Sequence, residues 1–263
     1  MSPRYAIYFT PPPFSALARF GSGIIGYDCF DAVEVPHVEL KGIDLNLQKL
    51  MTLDPRRYGF HATIVAPFHL REHSEDELIA SASAYATRTA PIRIGSFAVA
   101  GIGDFVALIP AEANGDIPLL AAECLKVFNS YRAPLSAADR ERRLKSGLTP
   151  HQLALMDSWG YPYVLDEYRF HMTLTGKLPE RLRDEFRHAL EQAFAERSGD
   201  TFELDAISVM RQDDDGDRFR VLRRCGLRGC TNWPGGGGPL SDVQCGPRQW
   251  LPPHADDVLR PLE

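Results

Sequence analysis

Residues 58–64 read YGFHATI, and residues 168–174 read YRFHMTL. In extended backbone, residues i and i+2 share a face and neighbours point to opposite sides. His61 and Thr63 therefore point one way, with Phe60, Ala62 and Ile64 pointing the other. In the second segment His171, Thr173 and Thr175 share the polar side, opposite Phe170, Met172 and Leu174. The alternation predicts two strands, over 58–65 and 168–175. Each has an apolar face for a core and a second face carrying the same two chemical groups. Tyr58 and Tyr168 stand at an odd offset from the histidines and read as packing residues.

The pattern downstream of each segment repeats as well. Ser74-Glu75-Asp76-Glu77 is a capping-box signature and predicts a helix to about residue 89. Strands over 92–100 and 105–109 come next, joined at Gly101-Ile102-Gly103-Asp104. In the second copy Pro179 suits the first turn of a helix to about residue 197, ended by Gly199. Strands over 202–210 and 218–223 follow, joined by an Asp-rich turn. Both halves read β-α-β-β, with 40 residues from His61 to Gly101 and 42 from His171 to Asp213. This predicts an internal duplication and an α+β class. Two pseudo-symmetric lobes would interleave in one domain over 1–228, with antiparallel sheets, helices outside and both polar faces lining a central cleft.

The rest of the chain adds a strand over 4–9 stopped by Pro11–Pro13, a helix over 14–20 ended by Gly21, and a helix over 45–51. Residues 22–42 give no pattern. Between the copies, helices are predicted over 116–131, 136–145 and from Thr149 or Pro150 to 159, with a helical insertion at about 132–165. The basic run Arg140–Lys145 reads first as a solvated helix face and second as a lid over a phosphate site. Tyr161 and Tyr163 belong to such a lid or simply pack.

The chain has 263 residues, 44% apolar and 24% charged, with a formal net charge of −6. An acidic balance disfavours a broad nucleic-acid-coating surface. No run approaches the roughly 18 apolar residues of a membrane span, and residues 1–13 carry no cleavable leader pattern. The expectation is a cytoplasmic protein with no membrane partner. Five scattered cysteines without a CxxC pair point to reduced thiols rather than zinc or disulfides. His69 and His73 have a spacing that suits a metal but read as exposed polar residues, so no metal or cofactor is expected. Six prolines and five glycines lie in 231–263. That composition predicts a tail over 229–263 without packed structure.

Two imidazoles and two hydroxyls around one cleft suit phosphodiester hydrolysis. One side chain must deprotonate the attacking oxygen while another protonates the leaving oxygen, and histidine does either near neutral pH. Threonine hydroxyls can donate to the non-bridging oxygens as charge builds there.

The paired H-x-T segments resemble the motifs of the 2H phosphoesterase superfamily, which includes 2′-5′ RNA ligase-like enzymes and cyclic phosphodiesterases. RYAIYF at 4–9, RRYGFHAT at 56–63 and WGYPYVLDEYRFHMTLTG at 159–176 are similar to one branch, the DUF1045 family of phosphonate-metabolism proteins. The resemblance spans roughly 4–224. It implies a bilobal α+β fold and a metal-independent phosphoesterase site at His61, Thr63, His171 and Thr173, and it implies a link to carbon–phosphorus lyase operons. The expected substrate is a small cyclic phosphodiester. Alternatives are a 2′,3′-cyclic phosphate or 2′-5′ linkage at short RNA ends, or a non-catalytic binder of a phosphorylated or phosphonate metabolite. His61 and His171 are the expected acid and base, with neither role assigned. Arg57 and Lys177 are secondary phosphate contacts. The sequence carries no signal for an oligomeric state.

Two departures stand out. Val65 occupies a position where the family pattern often carries lysine. The chain also continues past its last predicted strand as CGLRGCTNWPGGGG. A read-through or a shifted reading frame near codon 225 would account for that change of composition, and resequencing the coding DNA there should reveal it. An intact frame with a natural stop would overturn the idea.

Overall fold

The computed structural model describes residues 2–144, 147–197 and 199–228; the tail predicted over 229–263 lies outside them. RYAIYF forms β1 (Arg4–Phe9), and this strand lies inside the main sheet. α1 (Ala16–Ile25) starts on a Ser15 cap and runs past the predicted stop at Gly21. Gly21 sits within the helix because Phe60 packs against it: a Cβ there would lie 2.0 Å from the Phe60 ring. The helix ends instead at Gly26, in the left-handed conformation at φ 76°. β2 (Tyr27–Asp28) and β3 (Val33–Glu34) make a small hairpin in the unpatterned stretch, and α2 (Leu45–Met51) and α3 (Leu53–Arg56) follow.

The first copy consists of β4 (Ala62–His69), α4 (Glu75–Arg88), β5 (Ile92–Gly95), β6 (Phe97–Ile102) and β7 (Phe105–Pro110). α4 carries the predicted capping box between Ser74 and Glu77. After α5 (Asp116–Phe128), α6 (Ala137–Leu144) and α7 (Pro150–Trp159) comes the second copy. It runs β8 (Met172–Thr173), α8 (Glu180–Phe194), β9 (Phe202–Leu204), β10 (Ala206–Gln212) and β11 (Arg220–Gly226).

The predicted strands 92–100 and 202–210 are each two strands. Gly95, at φ 83°, breaks the first. The freed pieces β5 and β9 then pair with each other, away from the main sheet. The predicted strands 58–65 and 168–175 start later than expected, at Ala62 and Met172. Gly59 adopts φ 76°, and a 3-10 turn at Leu165–Glu167 precedes the second. Thr175, expected on the polar face, is fully buried. Its hydroxyl accepts from the Val106 amide and donates to the Gly176 carbonyl, so it closes the strand end rather than facing a cleft.

The main sheet has the order β11-β10-β1-β4-β8-β7-β6. The pairs that the registers resolve in it are antiparallel. The two histidine-bearing strands are therefore neighbours, joined at Ala62↔Met172. Each copy sends its hairpin to the other's side: β6–β7 lies beside β8, and β10–β11 lies on the β4 side beyond β1. One face of the sheet packs against α4, α5 and α8 through the main core. Phe60, Ala62, Ile64, Phe170, Met172 and Leu174 all belong to that core, as their alternation predicts.

Met172 is fully buried at the junction. Met172→Ala should lower stability by about 2–5 kcal/mol, read from urea unfolding midpoints at unchanged m-value.

Candidate active site

Ala62 and Met172 face each other across the junction and point into the core. The residues flanking them alternate to the opposite face. His61, Thr63, His171 and Thr173 therefore gather on one side of the sheet, each half-buried. All four motif residues are brought together by a single antiparallel pair.

The two histidines are held in the same way. The Nδ1 atom of His61 lies 2.8 Å from the Gly59 carbonyl oxygen, and that of His171 lies 2.8 Å from the Arg169 carbonyl oxygen. A carbonyl only accepts, so Nδ1 carries the proton in both rings and Nε2 is left as the basic nitrogen. The Thr63 hydroxyl sits 3.2 Å from the His61 Nε2 and donates to it. The late strand starts explain this lock: the irregular turn at 59–61 aims a carbonyl back at its own histidine, which a regular strand cannot do.

The surroundings differ. Tyr8, fully buried on β1, stacks on His61 with ring centroids 3.7 Å apart and planes at 18°. Tyr58 lies 6.3 Å from the same imidazole. His171 has Phe105 at 5.6 Å, tilted by 44°. Burial is the largest influence on His61 and pushes its pKa down to about 4, opposed by the Gly59 carbonyl and reinforced by the like charge of His171. Burial lowers His171 as well, opposed by the Arg169 carbonyl.

Tyr8 is absent from the motif reading, although strand parity places Arg4, Ala6 and Tyr8 on one face and so carried the signal. Tyr168 does more than pack. Its hydroxyl donates to the Thr63 carbonyl oxygen at 3.0 Å and ties the second motif to the first. Tyr58 packs with Phe219 in a second, smaller apolar cluster that also contains Tyr8.

Arg57 and Lys177 are engaged elsewhere. Arg57 donates to the Asp215 carbonyl oxygen at 2.6 Å, and the Lys177 ammonium lies 3.5 Å from Asp104. On α6, Arg140 makes a bidentate pair with Asp157, the surface role expected of that run, whereas Arg143 lies over the Tyr161 ring. His69 binds the Pro3 carbonyl, and the His73 ring lies 4.4 Å from that of Tyr131, tilted by 37°. Cys29, Cys124 and Cys225 are free and buried, as the reduced-thiol reading expects for these three.

A family model described as "Protein of unknown function (DUF1045)" matches residues 63–220. A protein of Janthinobacterium sp. (strain Marseille) named ribose 1,5-bisphosphate phosphokinase PhnN is 37% identical over 234 residues, covering 86% of this chain and 51% of that protein. A protein of the same name from Laribacter hongkongensis (strain HLHK9) is 31% identical over 84% of this chain and 51% of its own length. The chain thus spans about half the length of these curated relatives. Among solved structures, E. coli LigT in apo form aligns with 86% of this chain and 99% of its own at 15% identity and a TM-score of 0.39. TT0787 of Thermus thermophilus aligns with 87% of this chain and all of its own at 15% identity and a TM-score of 0.40.

His61 should titrate with a midpoint of about 4, the lower of the two site histidines, in an NMR titration of the ring protons. An unfolded chain takes up the proton that folded His61 refuses, so stability should fall as pH drops from 6.5 toward 4. His61→Asn should remove part of that fall, read from thermal melts across the window.

Proposed function

The chain belongs to the DUF1045 family, and from that premise we propose that it is a metal-independent phosphoesterase hydrolysing a small cyclic phosphodiester between His61 and His171. The observation that carries this reading is the matched pair of Nδ1 locks, 2.8 Å each, which present two Nε2 atoms on one face. A structural histidine gains nothing from a symmetric partner in the same tautomer. A general acid and a general base both do.

In the proposed reaction His61 Nε2 takes a proton from water, the water oxygen bonds to phosphorus, and the bond to the leaving oxygen breaks. His171 Nε2 supplies the proton that the leaving alkoxide takes. The strongly lowered pKa makes His61 the poorer proton reservoir and hence the base. His171 must arrive protonated, and the negative charge of a bound phosphodiester raises its pKa toward that state. Thr63 exchanges its resting bond to Nε2 for one to a non-bridging oxygen, and the Thr173 hydroxyl donates to another from the second copy. Two imidazoles supply both proton transfers, so no step draws on a metal. Arg57 and Lys177 would have to leave Asp215 and Asp104 to assist.

The relatives' name favours a phosphorylated pentose as the substrate class. Their kinase activity is not carried over. The glycines at 21, 23 and 26 lie in α1 and its cap, whereas a nucleotide-cradling loop joins a strand to a helix.

Ribose 1,2-cyclic phosphate and 2′,3′-cyclic nucleotides, incubated with the protein and EDTA, should be turned over. His61→Ala and His171→Ala should each lower kcat by about 10²–10⁴-fold at unchanged melting temperature. Saturable binding without turnover would replace the enzyme with a binder, and EDTA-sensitive turnover would replace the metal-free scheme.

A further inference from the structure

The face that carries the histidines continues past His171 onto the β6–β7 hairpin. In that hairpin Phe97, Val106 and Leu108 belong to the core, and Val99 packs against it. Alternation puts Ala100, Ile102 and Ile109 on the opposite face, with His171 and Thr173. Ala107 pairs with Thr173 and Leu108 with Met172, so the next step along the two strands sets Ile109 beside His171. Adjacent strands lie about 4.8 Å apart. An open cavity of about 610 Å³ has these three apolar side chains in its lining, and Arg169 and Glu112 stand on its walls. That size suits a small-molecule site.

The two flanks of the histidine pair are therefore unequal. On the His61 side, Tyr8 and Phe219 are fully buried and pack with Tyr58, so rings fill the space next to that imidazole. On the His171 side, Ile109 leads into the cavity. Arg169 holds the His171 ring through its carbonyl, and its exposed guanidinium has no hydrogen bond or ion pair among the described residues. The Glu112 carboxylate is exposed and unpaired in the same sense. The cavity thus offers donors on one wall, acceptors on another and an apolar floor between them. A sugar ring matches all three, since its hydroxyls both accept and donate and its C–H edges can lie on Ala100 and Ile102. A carboxylate on the wall opposes a second phosphate there.

We propose that this cavity is the subsite for the sugar ring of the substrate, with Arg169 and Glu112 as its specificity-determining residues. The inference rests on the phosphoesterase reading above. In an in-line displacement the attacking and leaving oxygens lie on opposite sides of phosphorus. With water on the His61 side, the leaving oxygen and the carbon skeleton that bears it point past His171, where the cavity lies. Ring hydroxyls accept from the Arg169 guanidinium and donate to the Glu112 carboxylate. The packed rings beside His61 leave the reverse orientation without room. A cleft with two matched histidines thereby acquires a direction.

The test compares ribose 1,2-cyclic phosphate with ethylene phosphate, a cyclic phosphodiester that has no sugar ring. Arg169→Gln removes the guanidinium and keeps the carbonyl that holds His171. It should raise KM for the ribose compound about tenfold, the loss of one charge-assisted hydrogen bond, and raise KM for ethylene phosphate by less. Glu112→Gln should act in the same direction. Ala100→Trp, which fills the cavity floor, should raise the ratio of the two KM values further. Arg169→Gln and Glu112→Gln alter exposed side chains and carry the test if Ala100→Trp fails to fold, as judged by circular dichroism. Equal KM changes for both compounds in the folded variants, or no change in either, would overturn the subsite and leave the phosphoesterase reading standing. If the unaltered chain turns over neither compound, that reading fails instead, and calorimetry with ribose 1,2-cyclic phosphate decides the subsite. Weaker binding in the folded variants supports it; equal binding, or none to the unaltered chain, overturns it.

Discussion

The contact between Ala62 and Met172 is the constraint on which the rest of the molecule depends. It is one antiparallel pair of two fully buried residues. Because side chains alternate in a strand, burying these two on one side obliges the flanking histidines and threonines to appear on the other. A slip of one residue in either strand would put that strand's imidazole into the core and an apolar side chain on the open face. Register is therefore the structural variable that makes or destroys the site, and core packing fixes it.

The remaining strands follow from that junction. Two copies that meet through their first strands leave their hairpins to be placed. Each hairpin crosses to the partner's side, so neither lobe is built from one copy alone. The short strands β5 and β9, released from the hairpins by breaks such as that at Gly95, close a second small sheet between the copies. The crossing makes the lobes mutually dependent and lets a two-residue strand such as β8 hold its place. Met172 and Leu174 on either side of Thr173 are both fully buried.

Much of this was legible in the sequence because it rests on periodicity. The alternation around His61 and His171, the capping box at Ser74, the helix start at Thr149 or Pro150, and the near-equal spacing to the hairpins are local signals. They survive folding. What was not legible depends on long-range contact. Gly21 reads as a helix stop until Phe60 is known to need its space. Thr175 reads as a third polar residue on the open face until the Val106 amide is known to require an acceptor. The Nδ1 locks need the carbonyls of Gly59 and Arg169 to turn back on the rings, and motif spacing says nothing of backbone direction. The crossing of the hairpins is a pairing choice between distant segments, which no local pattern records.

The near-symmetry is broken by the one main-sheet strand that has no copy. If β4 and β8 are exchanged about their junction, β7 and β1 occupy equivalent places, as do β6 and β10, and β11 is left alone at the edge. β1 thus takes the position that duplication alone would give to the second copy's last strand. It brings Tyr8, which stacks on His61, whereas β7 brings Phe105, which tilts against His171. The deeper packing of the His61 ring, and with it the larger fall in its pKa, follows from this placement. Two identical motifs thereby acquire different proton affinities without any change in their own residues, as a reaction with one acid and one base requires.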